Sequence, residues 1–449
     1  MSRATAKLPP VFRAVVEPLR DFFRLEATGG ILLFLAAVAA LVWANSPFGG
    51  FYRSLLSREI AVGVGPFIGH FSVAELINDV LMTVFFFVVG MEIKRELVMG
   101  ELRTFSRAVL PAIAAVGGMA LPAILFFALN AGKPGVRGWA IPMATDIAFC
   151  IGCLTLLKGR VPHALVIFVT ALAIFDDMGG ILVIALFYGT GIHLPWLLAA
   201  VGVCAVLFVC NRVYVRSFYV YAVLGAVLWY VIHHAGIHAT ISGVILGLMV
   251  PARPARPARE ILEELEHYAR ALLEKPRDEY LESMELLQIE ERIEDLEPPL
   301  NRFVHALHPW VAFGIMPVFA LANSGIDLSG LQLSDLSQPV VLGAALGLFV
   351  GKQLGVFAFT FAAVKLRVSP IPGGASVMQL YGVSILTGIG FTVALFIAGL
   401  AYPADPHLLD EAKLGILLGS FVSGVVGYIF LRLLRVRAPS APESVSASA

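Results

Sequence analysis

Charged side chains are scarce in this chain. They make up 14% of its 449 residues, where a soluble protein carries about 25%, and 58% of the chain is hydrophobic. Scarcity on that scale excludes a soluble domain with a single anchor and leaves a polytopic membrane protein. The 32 basic and 32 acidic residues cancel, so charge offers no argument for a nucleic-acid or acidic partner. No phosphate loop of the form GxxxxGK followed by Ser or Thr occurs, which speaks against an ATP-driven pump. A cleavable signal peptide is not expected. The opening stretch MSRATAKLPPVFRAVVEPLRDFFRLEA is basic and amphipathic and lacks a short apolar core with a small-residue cleavage site. There are four cysteines, and Cys150 and Cys153 form a C-I-G-C spacing. That spacing reads as a redox or metal pair or as two small apolar residues in a membrane helix. With no second CxxC and no nearby His to complete a site, the structural reading is expected.

What the chain has in abundance is apolar sequence of spanning length. Such stretches lie near 28–47, 75–92, 108–130, 139–157, 164–190, 194–211, 217–233, 236–251, 309–326, 338–364, 376–401 and 413–434, about twelve transmembrane helices in all. The basic residues orient them. With a cytoplasmic N-terminus, the segments on that side hold 18 Lys and Arg. Those on the other side hold five: Arg53, Arg58, Lys133, Arg137 and Lys413. This asymmetry favours an even number of spans with both termini cytoplasmic.

The divisions that follow are a cytoplasmic segment over 1–27, spans 1–8 over 28–251, a charged cytoplasmic insert over 252–308, spans 9–12 over 309–434, and a disordered Ser/Ala/Pro tail over 435–449. The insert opens with PARPARPAR and holds 14 of the 32 acids. It reads as a solvated loop with one or two amphipathic helices, or as a regulatory or partner-binding arm. On the outer side, REIAVGVGPFIGHF within Asn45–Ser72 looks like two short strands around Gly65 and Pro66. The edge of such a hairpin is a candidate surface for pairing protomers.

Against this apolar background a few ionisable residues cannot be moved to a helix end. Asp176 and Asp177 sit mid-way in ALVIFVTALAIFDDMGGILVIALFYG, Ala164–Gly189. A charge at mid-bilayer costs about 2.5–3.5 kcal/mol on insertion scales, and adjacent like charges split their titration. The alternative, a pair that snorkels from a helix end, is disfavoured by on the order of ten apolar or small residues on each side. Asp146 lies in AIPMATDIAFCIGCLTLL and Lys352 in VVLGAALGLFVGKQLGVFAFTFAAV. Three acids and one base in hydrocarbon describe a cation or proton pathway. Gly and Pro punctuate the same runs: Pro142 precedes Thr145 and Asp146, and Gly388 and Gly390 interrupt SILTGIGFTVALFIAGL. Broken backbone in a membrane survives only inside protein or along a cavity, and such breaks mark substrate sites of secondary transporters. Gly117 and Gly118 read instead as a helix-packing pair.

Seven motifs carry a family resemblance: INDVLMTVFFFVVGMEIKREL (77–97), PMATDIAF (142–149), FDD (175–177), GIHATISGVILG (236–247), HPWVAFGIMPVFALANSG (308–325), GK (351–352) and TGIGFTVALFIAGL (387–400). In this order they resemble the NhaA-type sodium/proton antiporters of bacteria. The resemblance implies an all-α polytopic membrane protein of the bacterial inner membrane, with inverted repeats and two interrupted helices crossing at mid-membrane. It implies an electrogenic, pH-regulated exporter of sodium or lithium in exchange for protons, with no cofactor. Asp177 would be cation ligand and proton carrier, and Asp176 its neighbour, so that both meet the transported Na+. Thr145 and Asp146 would sit at one break, and Thr387, Gly388, Ile389 and Gly390 would form the other. Asp146 would compensate the positive helix ends, and Lys352 the negative ones and Asp176.

Asp79, beside Asn78, would tune activity; a helix-start acid capping the second span explains it as well. Glu92, Arg95 and Glu96 would form a cytoplasmic pH-sensing end, or a plain solvated helix end. His238 would take part in the pH response, or be a packing residue in an apolar helix. His305 and His308 match histidines before a span. Val304 stands where the family often has an acid, which unsettles the pH set point. Membrane lipid and a second copy of the chain, met at the outer hairpin, are the expected partners, and no nucleic acid. A cation channel, or a non-transporting sensor that kept the fold, is the alternative. Channels build rings of one residue, however, and a lysine beside two acids fits a carrier better. The spans exclude a soluble enzyme.

Overall fold

The computed structural model describes residues 27–64, 67–157, 159–189, 191–254, 256–273, 289, 293, 296–329, 332 and 334–434. The expected cytoplasmic N-terminal segment, the tail, the tip of the hairpin and most of the second charged stretch of the insert lie outside the described residues.

Lipid offers no partner to a backbone N–H or C=O, so apolar sequence of this length closes its own hydrogen bonds as helix. Among the described residues, seven helices are long and apolar enough to cross a membrane, or up to ten spans if each bent pair counts as one. The first helix, α1 (Ala27–Ala44), turns by 113° into the short α2 (Gly49–Leu56). The long helices α3 (Val73–Val98) and α4 (Phe105–Asn130) follow. A 3-10 segment over Pro134–Met143 then meets α5 (Ile147–Leu156) at a 45° bend. Next come α6 (His163–Phe187), α7 (Leu194–Arg212), α8 (Phe218–His234) and the nine-residue α9 (Ile241–Met249). After α10 (Ala258–Leu273) in the charged insert, α11 (Pro299–Asn323) and α12 (Pro339–Lys365) cross. A second bent pair, α13 (Val377–Leu386) and α14 (Phe391–Ala401), also turns by 45°, and α15 (Pro406–Leu433) closes the chain. Each of the twelve expected stretches therefore holds helix. The stretches at 217–233 and 236–251 hold a 17-residue and a nine-residue helix, the first at the short end of spanning length and the second, at 1.5 Å per residue, too short to span unaided.

The expected hairpin is present: β1 (Glu59–Val64) pairs antiparallel with β2 (Phe67–Ser72), Glu59 opposite Ser72. At the same end, α2 and the turn after α1 are tied to the last turn of α11 and the segment that follows it. Asn45 Nδ2 donates to the Ile326 carbonyl, Tyr52 Oη bonds the Leu321 carbonyl at 2.8 Å, and Arg53 pairs with Asp327 at 2.8 Å.

Two features aim residues at the middle of the bundle. Gly117 of α4 and Gly355 of α12 approach so closely that a Cβ on either would run into the other's carbonyl oxygen, the close-packing role read from the Gly117–Gly118 pair. This contact brings α12, and with it Lys352, against α4. Single π turns interrupt α3 over Leu76–Leu81, α11 over Val311–Ile315 and α12 over Gly347–Gly351. Such turns cluster at functional sites; here one holds Asp79 and another ends one residue before Lys352.

Two local expectations are corrected. Asp79 does not cap the second span: that helix begins at Val73 with a capping box in which Ser72 accepts from Glu75 N and Glu75 accepts from Ser72 N, so Asp79 lies two turns inside. His238 is not within a helix: residues 235–240 form the turn between α8 and α9, with Gly236 at φ +80°, a conformation glycine adopts without strain.

Candidate functional site

Asp146 sits at the first break and ends two helices at once. As N-cap of α5, its Oδ1 accepts from Phe149 N at 3.0 Å. Its Oδ2 accepts from Thr392 N at 3.2 Å and Thr392 Oγ1 at 2.6 Å, in the first turn of α14. The Asp146 amide in turn donates 2.7 Å to the Ile389 carbonyl in the second break. Each helix N-terminus leaves unpaired N–H groups and about half a positive charge, and this one carboxylate faces both.

One residue earlier, Thr145 links the breaks to α6. Its Oγ1 lies 2.8 Å from Asp176 Oδ2 and 3.0 Å from the Thr387 carbonyl, its single proton shared between the two acceptors. Lys352 Nζ donates 2.7 Å to the same Asp176 oxygen, both side chains fully buried, and also donates to the Met143 carbonyl at the end of the 3-10 segment. The cation thus meets both a carboxylate and the negative end of the half-helix.

Asp177 differs. It is 6% exposed, and no hydrogen bond from another described residue reaches its buried Oδ1; Asp176 Oδ1 is likewise unbonded. An unpaired buried carboxylate is costly. The position is stable when a proton or a cation neutralises it.

Thr145, Asp146, Asp176, Lys352, Thr387 and Ile389 are thereby connected by direct bonds, with Asp177 next in the chain. Gly388 and Gly390 belong to the break for steric reasons. A Cβ on Gly388 would collide with the Leu348 carbonyl and Ser423 Oγ, and one on Gly390 would approach the Ala144 carbonyl to 2.9 Å. Three members of this constellation escape a reading of the sequence: Thr392, Ser420 and the Met143 carbonyl. Ser420 of α15 accepts from Gly390 N at 3.3 Å and Phe391 N at 3.2 Å. The only signal for it is a small polar residue in an apolar run.

The remaining expected residues form two groups near opposite ends of α3. Asp79 Oδ1 is 3.8 Å from His238 Nε2, whose Nδ1 lies 2.8 Å from Thr240 Oγ1 and whose ring meets Phe396 edge-on. About 20 Å along α3, by the helical rise, Glu92, Arg95, His305 and His308 line one cleft of about 240 Å³ with Val304 and Pro309. Glu92 Oε1 is 3.7 Å from His308 Nδ1, and His305 Nδ1 is 3.2 Å from Glu297. Glu96 stands apart, accepting from Glu101 N at 3.1 Å. Cys150 and Cys153 are free thiols on α5, and among the described residues no group of three or more His, Cys, Asp or Glu is arranged to hold a resident metal ion.

Comparison with known proteins covers nearly the whole chain. The family model described as Na+/H+ antiporter 1 matches residues 20–431. A protein of Myxococcus xanthus named Na(+)/H(+) antiporter NhaA 1 is 59% identical, with 98% of each chain covered. The Na(+)/H(+) antiporter NhaA of an Anaeromyxobacter species is 60% identical over 98% of this chain and 97% of its own. That of Helicobacter pylori is 44% identical over 94% and 96%.

Proposed function

The chain belongs to the Na+/H+ antiporter 1 family and is a multi-pass Na+/H+ antiporter, and from that premise we propose that exchange takes place at the crossing of the two broken spans, with Asp177 as the group that cation and proton contest. The observation that carries this reading is the division of labour within the acid pair. Asp176 is held by Lys352 and Thr145, and Asp146 by three donors, whereas Asp177 Oδ1 has no bond from any described residue. Sodium and lithium are hard cations that prefer oxygen, and the unbonded oxygens of Asp177 and Asp176 are of that kind.

The chemistry is competition. A proton neutralises Asp177 when no cation is bound, and a cation displaces that proton because it needs the ionised carboxylate. If the site opens to one side of the membrane at a time, each cation released on one side is replaced by protons carried back. A second proton taken up at the Asp176–Lys352 pair makes the exchange electrogenic. The physiological direction is export of sodium, or lithium, from a cell whose inner membrane holds the protein with both termini cytoplasmic. The Glu92, Arg95, Glu96, His305 and His308 end of the bundle, and the Asp79–His238 pair at the other, are the seats of the pH response. No cofactor takes part.

The test is a flux measurement on purified protein in liposomes with an internal pH dye. Addition of sodium or lithium is expected to collapse an imposed pH gradient. No response to either ion at any pH, neutral to alkaline, overturns the proposal.

Dimerisation through the outer hairpin is the second part of the proposal. Among the described residues the sheet has two strands, so each has an outer edge that could pair with a second copy. Removing residues 59–72 is expected to convert a dimer in detergent to a monomer, read by light scattering on a sizing column. A deletion variant that stays dimeric places the interface elsewhere.

A further inference from the structure

The first turn of α14 presents N–H groups that its own helix cannot satisfy. Thr392 N goes to Asp146. The two before it, of Gly390 and Phe391, go to Ser420 Oγ, on a helix that contributes no charge to the crossing. α15 lies close enough to serve them. Gly415 and Gly419 press its backbone against α12, where a Cβ would sit about 3 Å from Val341 Cα and Ala345 Cα, and Gly427 packs against Leu386 at the end of α13. Ser420 is buried, and its hydroxyl is the acceptor these two amides have.

We propose that Ser420 is a positioning residue of the exchange site, a role that rests on the antiporter reading above. By holding two of the three paired amides of α14, it leaves the carboxylate of Asp146 to Thr392 and to its own helix. Without that hydroxyl, two buried N–H groups seek another acceptor, and the nearest negative group engaged by the same turn is Asp146. A shift of Asp146 moves Thr145, its neighbour in the chain, and Thr145 is bonded to Asp176. The effect of Ser420 is therefore on how well the site holds its cation.

Ser423, one turn further along α15, is the built-in control. Its Oγ is buried and bonds no described residue, so losing it removes a hydroxyl from the same helix without freeing an amide.

The experiment uses full-length protein and two readouts. One is the sodium concentration giving half-maximal exchange in liposomes. The other is the sodium concentration giving half-maximal thermal stabilisation in detergent, which needs no transport. For Ser420→Ala both are expected to rise about five-fold, equivalent to about 1 kcal/mol at 1.4 kcal/mol per factor of ten, with the maximal rate nearly unchanged. Ser420→Thr, which keeps the hydroxyl, and Ser423→Ala are expected to match the wild type. Ser420→Cys keeps the side-chain volume with a weaker acceptor and stands in if the alanine variant fails to fold; it is expected to fall between Ala and wild type. Wild-type sodium dependence in Ser420→Ala, a lowered melting temperature with unchanged sodium dependence, or equal damage from Ser420→Thr each overturns the role of the hydroxyl. Absence of exchange in the wild type overturns the antiporter reading instead, and the stabilisation readout then decides on Ser420 alone.

Discussion

Asp177→Asn is expected to abolish sodium-driven proton flux at every pH, to the level of liposomes without protein, while the protein still inserts and melts near the wild-type temperature. Asparagine keeps the shape of the side chain but can neither hold a titrating proton nor supply a negative charge to sodium, so both halves of the competition fail together. The fold has little reason to suffer. No bond from a described residue reaches the buried Asp177 Oδ1, so the substitution breaks none of those and removes a charge that is costly when unpaired. The measurement is dye-reported flux in liposomes with a thermal melt on the same preparation. Residual coupled exchange in this variant would move the carrier role to Asp176 or Asp146. Sodium leak without proton coupling would favour a channel.

Lys352→Ala is expected to act mainly on stability. Lys352 and Asp176 are both fully buried and 2.7 Å apart. Removing one partner of such a pair strands the other and costs about 3–5 kcal/mol. The Met143 carbonyl and the negative end of its half-helix also lose their donor. Combining the substitution with Asp176→Asn should restore much of the loss, because the stranded charge disappears. Thermal melts of the two single variants and the double variant form the cycle. Independent, additive effects would mean the pair contributes little. Exchange should also weaken in Lys352→Ala, since Asp176 shares its bonded oxygen with Thr145 at the crossing.

The parts of this site visible in the sequence were those the membrane makes conspicuous. Asp146, Asp176, Asp177 and Lys352 stand out because a charge in an apolar run has a large cost. The two breaks stand out because Pro142, Gly388 and Gly390 interrupt otherwise continuous helix. Helix α10 was legible from its charged, amphipathic pattern, and the hairpin from alternation around Gly65 and Pro66. Thr392 and Ser420 were not legible, since a hydroxyl in a membrane helix more often bonds its own preceding turn, as Thr360 does to Val356. Asp79 misled because an acid near a helix start resembles a cap; the true cap, Ser72 with Glu75, lies at the end of the hairpin strand. His238 misled because the turn over 235–240 is nearly as apolar as the helices it joins.

The double service of Asp146 has a mechanical consequence. Its side chain bonds the first turns of α5 and α14 together, and its amide is tied to Ile389 between α13 and α14. Sliding one half-helix away from the other would strip a buried carboxylate of its donors, at a cost of about 1–3 kcal/mol for each group left unpaired. The two are therefore expected to travel as one piece. Whatever opens this carrier to one side and then the other would swing that piece against its surroundings, as a knot moves with its rope, without loosening the place where the strands cross.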